Sequence, residues 1–281
     1  MPRDTLEEKL ISSVQHTCRD YSLLAPGDRV MVCLSGGKDS HVMLHVLRKI
    51  QRRLPFSIEL VAVHLDQKQP GYDGARLVEF LGAQAELRFE LLEEDTYSVV
   101  VEHTEEGKSY CSMCSRLRRG ILYTAAERLG MNKIALGHHR DDSLETFMMN
   151  LFFSGKMQAM PAKYRSDDGR FEVIRPLIEC AESDIAELAG RLAFPILPCN
   201  LCGSQQSQRD AMSKMISDLE AQNPNVRQIM LNALRNVRPT HLLDRDLLAA
   251  WSARGPDIRP AREAPKPEAR FLAAPKLRVI G

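Results

Sequence analysis

The feature that most constrains this chain is the stretch Ser35-Gly36-Gly37-Lys38-Asp39-Ser40, which lies between a predicted buried strand, residues 28–34, and a predicted helix, residues 42–53. Two adjacent glycines allow the backbone to turn tightly and to approach a ligand without a side-chain clash. The start of the helix offers unpaired N–H groups and the positive end of a dipole to an anion. Two hydroxyls and one ammonium group within the stretch add further donors. The sequence therefore predicts a phosphate-binding loop.

Two better-known phosphate motifs are absent. The Walker pattern requires a glycine five residues before its Gly-Lys pair, and Val32 occupies that position here. The three spaced glycines of the dinucleotide fingerprint are also missing. A glycine-rich turn without a ligand is the remaining alternative, and the agreement of strand, turn and helix argues against it.

Strands and helices alternate along the first two thirds of the chain. Further strands are predicted at residues 57–65, 86–91 and 133–136, and further helices at residues 5–21, 74–82 and 141–153. After Pro176 the pattern is mostly helical, at residues 181–192, 206–219 and 225–234. This alternation predicts an α/β fold with a parallel sheet flanked by helices and a helical C-terminal part. We divide the chain into an N-terminal helix (1–24), an α/β domain (25–180), a helical region (181–245) and a proline-rich, flexible tail (246–281).

Charge and hydropathy argue against a strongly basic nucleic-acid-binding protein and against a membrane protein. The 281 residues include 38 lysines and arginines and 37 aspartates and glutamates, a net charge of +1. A nucleic acid would therefore have to bind a local basic patch rather than the protein as a whole. Apolar runs fall short of the 18 residues of a membrane span, and the amino terminus lacks the pattern of a signal peptide. We expect a cytoplasmic protein without membrane contact.

Polar residues follow the predicted strands where a parallel sheet binds ligands, at the carboxyl ends. His64-Leu65-Asp66 ends the second strand, and Gly137-His138-His139-Arg140-Asp141-Asp142 follows the fourth. The two histidines are a poor metal pair, because adjacent side chains point in different directions. Asp141, Asp142 and Glu145 are candidates both for chemistry and for capping the helix that follows.

The seven cysteines are better explained as thiols and ligands than as a disulfide framework. Cys111-Ser-Met-Cys114 and Cys199-Asn-Leu-Cys202 have ligand spacing, but they lie far apart in the chain, so the fold would have to assemble a shared site. Four thiolates suit a structural zinc ion, and the same residues suit an iron–sulfur cluster. The spacing of the cysteines does not distinguish a zinc site from an iron–sulfur cluster.

The glycine loop resembles the PP-loop of the ATP pyrophosphatases, which split ATP between its α and β phosphates. That resemblance implies a PP-loop (adenine nucleotide α-hydrolase) fold, ATP with Mg²⁺ as cofactors, and binding of the nucleotide by residues Ser35, Gly36, Gly37, Lys38, Asp39 and Ser40. A Gly-His-x-x-Asp-Asp segment also recurs in these enzymes. It implies that Asp141 is a Mg²⁺-associated or acid/base carboxylate.

The order of the loop, the two cysteine pairs and the Gly-His-His-Arg-Asp-Asp segment is similar to that of the tRNA 2-thiocytidine synthetases, over residues 10–240. These enzymes install sulfur on cytidine 32 of tRNA. The resemblance implies a [4Fe-4S] cluster held by Cys111, Cys114 and Cys202, with the fourth iron open to exogenous sulfur. Cys199 is the alternative to Cys202. A cysteine desulfurase as sulfur donor, tRNA as substrate and a homodimer are implied as partners.

Two other functions remain open. One is another PP-loop enzyme of tRNA modification, a uridine thiolase or a lysidine-type synthetase. The other is a zinc-stabilised RNA-binding module without catalysis. Basic residues that are candidates for phosphate contacts are Arg116, Arg118, Arg119, Lys156, Lys163, Arg165, Arg235 and Arg238. Arg118 lies one helical turn after Cys114 and is predicted to face the site.

Overall fold

Six strands form one sheet in the computed structural model, which describes residues 5–84, 86–104, 111–197 and 208–253. The strands are β1 (Arg29–Leu34), β2 (Glu59–Asp66), β3 (Arg88–Glu93), β4 (Lys133–Ala135), β5 (Lys163–Arg165) and β6 (Glu172–Ile174). Their order across the sheet is β3-β2-β1-β4-β6-β5. All neighbours pair in parallel except β5, which runs antiparallel to β6. The predicted α/β fold is confirmed, and the short β5–β6 pair is an addition that the sequence pattern did not predict.

Alternate side chains of the central strands pack on opposite faces of the sheet. Val30 and Val32 contact the cluster that contains α1 (Thr5–Asp20), α2 (Lys38–Gln51) and α7 (Glu182–Arg191). Met31 packs on the other face, against apolar residues of α5 (Cys111–Arg128). Because both faces are covered, β1 is a continuous apolar run, as expected for a strand buried in a parallel sheet. Two shorter helices, α3 (Ala75–Gly82) and α4 (Thr96–His103), flank β3 in the chain.

A helical region is formed by two parts of the chain, one between β4 and β5 and one after β6. It contains α6 (Arg140–Met149), a π-helical segment (Asn150–Ser154), α8 (Gln208–Gln222) and α9 (Val226–Arg235). Its small core joins Leu144 and Met148 of α6 to Met212 and Ile216 of α8. The predicted helical C-terminal part is therefore present, with α6 as its link to the sheet.

The chain divides into two compact units, residues 1–235 and 236–281. The described part of the second unit contains a 3₁₀ turn (Pro239–His241) and α10 (Arg245–Ser252), whose first turn is capped by Asp244. The predicted tail beyond residue 253 lies outside the described residues, and the boundaries of the four predicted segments stay predictions. Among the described helices, none has both the length and the apolar character needed to cross a membrane.

A buried ion cluster lies at the amino end of β4, opposite the edge where the strands end. Lys133 is only 5% exposed, and its Nζ lies 3.0 Å from Asp28 Oδ2 and 3.1 Å from Glu172 Oε2. The same Nζ donates to the carbonyl oxygen of Leu23 at 2.8 Å. Full pairing offsets the large cost of removing an ammonium group from water.

We predict that Lys133→Ala lowers the free energy of unfolding by about 3–5 kcal/mol, because it leaves the Asp28 carboxylate buried without its cation. Urea unfolding of the full chain measures this change. Lys214→Ala is the control, since Lys214 pairs with Asp218 on the surface and its loss should change stability by about 0.5 kcal/mol or less. Equal effects for the two variants would contradict the prediction.

Candidate active site

The predicted phosphate-binding loop connects the end of β1 to the start of α2. Gly36 adopts a φ of +85°, a left-handed conformation that favours glycine, and a Cβ there would meet the Leu197 side chain at 2.9 Å. Gly37 is the N-cap of α2, and no described side chain caps the helix there. The first N–H groups of α2 are thus left for a ligand, which is the geometry that binds phosphate at helix N-termini.

Hydroxyl groups fix the shape of the loop from within. Ser40 Oγ donates to the carbonyl oxygen of Gly37 at 2.9 Å, and the N–H of Ser35 donates to Ser40 Oγ at 3.2 Å. Gly137, after β4, lies directly against this turn: a Cβ at Gly137 would be 3.1 Å from the backbone nitrogen of Ser40. The missing side chain lets the two predicted motifs meet at the carboxyl edge of the sheet.

Two charged side chains of the loop differ in how they are paired. Lys38 Nζ lies 2.8 Å from Glu182 Oε1 in α7. Burial lowers the pKa of Lys38, but Glu182 and Asp39 outweigh this effect and raise the pKa, so the ammonium group stays charged. Asp39 Oδ1 is buried and makes no hydrogen bond, with Lys38 Nζ 3.2 Å and His139 Nε2 3.7 Å away. A carboxylate oxygen in this state beside a phosphate cradle suits a hard divalent cation.

Asp141 is buried and bound on both of its oxygens. Oδ1 accepts from Arg227 Nη1 at 2.7 Å and from Arg140 Nη2 at 3.3 Å, and Oδ2 accepts from the N–H of Glu182 at 2.9 Å. Burial raises the pKa of Asp141, but the Glu182 N–H and the two guanidinium groups outweigh it and lower the pKa. Asp141 is therefore an anion at neutral pH, held by three donors.

Asp142 and Glu145 lie on the same helix with different partners. Asp142 forms a capping box with His139, in which Asp142 Oδ2 accepts from the His139 N–H at 3.0 Å, and Asp142 Oδ1 accepts from Arg209 of α8 at 2.9 Å. Glu145 is 7% exposed, and burial raises the pKa of its carboxyl group. The capping role that the sequence allowed for Asp142 is present in the structure.

The two adjacent histidines serve separate networks. His139 caps α6, whereas His138 Nδ1 accepts a hydrogen bond from Arg175 Nε at 3.2 Å. Arg175 follows β6 and lies over the ring of Tyr164, 5.0 Å from its centre. Within the described ranges, no group of three or more histidine, cysteine or acidic residues has the geometry of a metal site.

Cys114 lies at the same edge of the sheet. Its Sγ donates to Gln67 Oε1 at 3.2 Å, and Gln67 follows directly after β2. Thr96 donates to the same amide oxygen at 3.2 Å, so Gln67 joins α4 and α5 to the end of β2. The first cysteine pair is thus brought to the carboxyl edge, one strand away from the phosphate loop.

The positive charge of Arg118 acts on groups at two of the strand ends. Burial raises the pKa of the Cys33 thiol to about 12, and the positive charge of Arg118 acts in the opposite direction. The same charge contributes to lowering the pKa of His138, behind the larger effects of burial and Arg175. Arg118 is therefore close enough to Cys33 and His138 for its charge to act on both.

The other predicted ligands cannot be placed. Cys199 and Cys202 lie outside the described residues, and for Cys111 only its position at the start of α5 is described. Cys18 and Cys180 are buried thiols. The ligand set of the predicted cluster therefore stays a prediction, with Cys114 as its described member.

The predicted phosphate contacts fall into two groups. Arg235 pairs with Glu179, and Lys163 Nζ donates to the carbonyl oxygen of Ser22 at 2.9 Å, so both already have partners within the chain. The remaining members of the set are all exposed: Arg116, Arg118, Arg119, Lys156, Arg165 and Arg238. Arg116 lines a cleft of about 610 Å³ between β3 and α5.

Sequence reasoning missed the partners that hold the site. These are Gln67, Arg175, Glu182, Arg209 and Arg227. Each is a polar residue of ordinary type at the end of a strand or on a helix, and no local motif marks it. The one available signal was charge balance, because a buried acidic pair such as Asp141-Asp142 requires cations from elsewhere in the chain.

Comparison with known proteins gives three findings. Residues 6–195 match the PP-loop domain family. The tRNA-cytidine(32) 2-sulfurtransferase of Cytophaga hutchinsonii is 53% identical over 252 residues, 88% of each chain, and that of Sorangium cellulosum is 46% identical over 98% of this chain and 97% of its own. The solved structure of the U34-tRNA thiolase NcsA from Methanococcus maripaludis with its [4Fe-4S] cluster superimposes with a TM-score of 0.61 at 24% identity, covering 83% of this chain and 81% of that one. This last likeness shows the fold.

We predict that Gly36→Ala weakens ATP binding by more than about tenfold, because the added methyl group meets Leu197 and crowds the cradle. Gly155→Ala is a matched control, since Gly155 also has a left-handed φ, +62°, but open space around it. Both variants should lose about 1–2 kcal/mol of stability from backbone strain. Calorimetric titration with a non-hydrolysable ATP analogue separates them, and equal affinities would contradict the prediction.

We predict that Asp141→Asn lowers the free energy of unfolding by about 3 kcal/mol at pH 7, because two guanidinium groups lose their anion. Since the pKa of Asp141 is lowered in the folded state, this contribution is complete above the unfolded pKa, near 4, and is lost as the pH falls through the folded value. Urea unfolding should therefore give a constant difference between wild type and variant from pH 5 to 8 and a shrinking one below pH 4. A difference that grows on acidification would contradict the assignment.

Proposed function

We propose, from the premise that this chain belongs to the PP-loop family of tRNA-cytidine(32) 2-sulfurtransferases, that it transfers sulfur to cytidine 32 of tRNA in a reaction driven by ATP. The observation that carries this proposal is the identity of about one half to relatives of that name over most of both chains. In the proposed reaction the C2 oxygen of cytosine attacks the α phosphate of ATP and pyrophosphate leaves. Sulfur at the sulfide level then adds at C2 as HS⁻, and AMP leaves with the former C2 oxygen. Sulfur that arrives as a persulfide is first brought to this level by two electrons from a thiol reductant, which is oxidised to a disulfide.

The phosphate loop binds the pyrophosphate portion of ATP in this proposal. The open N–H groups at the start of α2 would donate to the phosphate oxygens, while the hydroxyls of Ser35 and Ser40 hold the shape of the loop. Lys38 is charged, and its ammonium group, now paired with Glu182, is near enough to exchange that carboxylate for phosphate. Donors placed where negative charge develops on the departing pyrophosphate favour the adenylation step.

We assign Mg²⁺ to the region of Asp39 and Asp141. Asp39 Oδ1 is buried without a hydrogen bond and has only the charge of Lys38 beside it, so a divalent cation would supply the coordination that this oxygen lacks. Asp141 is an anion held by two arginines and a backbone N–H, which supports a charge-balancing role beside the metal over proton transfer. When bound, the ion would neutralise charge on the phosphates.

Cys111, Cys114 and Cys202 are the proposed ligands of a [4Fe-4S] cluster. Cys114 fits this role, because it is a thiol outside any described disulfide and lies at the carboxyl edge beside the phosphate loop. When bound, the cluster supplies the position from which sulfur is delivered to the base. Gln67 fixes where this thiol lies, and Arg118 brings positive charge for the anionic substrate to the same place.

The proposal also names the molecules with which the enzyme interacts and its location in the cell. A cysteine desulfurase supplies the sulfur, tRNA is the substrate, and the enzyme acts as a homodimer. We place it in the cytoplasm, where tRNA is modified.

The decisive experiment is nucleoside mass spectrometry of tRNA from a strain in which the gene is deleted. Loss of 2-thiocytidine alone, with recovery from a plasmid copy, supports the proposal. An unchanged nucleoside profile contradicts it. Loss of a thiouridine or of lysidine would instead identify one of the two other PP-loop reactions.

We predict that Cys114→Ser abolishes 2-thiocytidine formation in this strain and lowers the iron content of anaerobically purified protein, because a serine hydroxyl is a poor ligand for iron–sulfur clusters. Its affinity for ATP should remain that of the wild type. Cys180→Ser is the control, because the Cys180 thiol is buried against α1, where its Sγ donates to Ser13 Oγ at 3.6 Å. Colourless wild-type protein that contains one zinc per chain would refute the iron–sulfur assignment.

A further inference from the structure

His138 has one ring nitrogen whose role is fixed by its partner. Arg175 Nε donates to His138 Nδ1 at 3.2 Å. A guanidinium group donates hydrogen bonds and never accepts them, so Nδ1 must carry the lone pair. The ring proton is therefore on Nε2. Among the two neutral tautomers, the structure selects the one with an Nε2–H donor.

The imidazole is also held in its neutral form. Burial lowers the pKa of His138, and the positive charges of Arg175, Arg209 and Arg118 lower it further against the opposing effect of Asp142. Arg175 is itself fixed, because Nη1 donates to the carbonyl oxygen of Pro161 at 2.8 Å. At neutral pH His138 thus presents a single, oriented N–H donor.

The free side of this ring belongs to the proposed active site. His138 follows Gly137, which abuts the phosphate loop at Ser40, and Arg118 lies one helical turn from Cys114. Nε2 makes no hydrogen bond to the residues that the structure describes, and it is not one of their buried unpaired atoms. Among the described residues this N–H therefore has no acceptor, at the sheet edge that also carries the phosphate loop and Cys114.

Cytosine and uracil differ in what they offer to such a donor. N3 of cytosine is an acceptor, whereas N3 of uracil carries a hydrogen. N3 is also bonded to C2, the carbon that receives sulfur in the proposed reaction. We infer that His138 donates its Nε2–H to N3 of the target cytosine and thereby selects cytosine over uracil, with Arg175 as the positioning residue. This inference rests on the proposed function.

The test uses two tRNAs that differ by one atom. The first carries cytidine at position 32, and the second carries 3-deazacytidine, in which a C–H group replaces N3. Values of kcat/KM for sulfur transfer are measured for wild type and for His138→Ala on both. Because each pair of enzymes is compared on the same substrate, the different intrinsic reactivity of the two bases cancels. If the loss caused by His138→Ala depends on whether the base carries N3, the histidine and N3 interact.

We expect His138→Ala to lose about 10- to 100-fold in kcat/KM on the cytidine substrate and less than about threefold on the 3-deaza substrate. Arg175→Met should show the same pattern with a smaller loss, because the ring remains while its tautomer is no longer fixed. His16→Ala, a change of an exposed histidine on α1, should leave both values unchanged.

The outcomes separate this inference from the proposed function. Equal losses for His138→Ala on the two substrates would overturn the contact with N3. Equal losses for Arg175→Met on the two substrates would overturn its role as the positioning residue. Wild-type enzyme that forms no 2-thiocytidine from the first tRNA would overturn the proposed function itself.

Discussion

The buried carboxylate of Asp141 is the group on which the arrangement of the site depends. A carboxylate removed from water costs several kcal/mol unless it is paired and hydrogen-bonded. Asp141 meets this requirement by accepting from Arg140 of its own helix, from the first turn of α7 at Glu182 and from Arg227 of α9. One charge therefore ties three helices to the carboxyl edge of the sheet. Any sequence change that moves α7 or α9 must also unpair this charge.

The same requirement governs the neighbouring charges. Lys38 pairs with Glu182, and Asp142 pairs with Arg209, so acidic and basic groups largely neutralise each other at the edge. Within the described residues, the polar atoms there without a hydrogen bond include Asp39 Oδ1, His138 Nε2 and Arg140 Nε. Our proposals assign a cation to the first and the substrate base to the second. Each assignment joins complementary groups: a carboxylate oxygen with a cation, and an N–H donor with an acceptor nitrogen of the base.

Stability and chemistry are placed at opposite ends of the strands. The Lys133 cluster is buried at the amino end of β4, and its charges are paired within the protein. The phosphate loop, Cys114 and His138 lie at the carboxyl ends, where β1, β2 and β4 stop. This separation follows from a parallel sheet, in which all strands end at one edge and their loops can be assembled into a site.

The sequence by itself determined the phosphate loop, the alternating α/β pattern and the edge at which polar residues would collect, because glycine turns, helix starts and apolar strands are encoded by near neighbours. It placed the helix after the loop four residues late and missed the hairpin of β5 and β6, since three-residue strands carry too little periodicity. Only the tertiary structure decided which carboxylate is buried, which histidine tautomer is present and where Cys114 lies. The physical reason is distance along the chain: Arg227 reaches Asp141 across 86 residues, Arg175 reaches His138 across 37 and Cys114 reaches Gln67 across 47. Such pairs form only when the folded sheet brings the strand ends together.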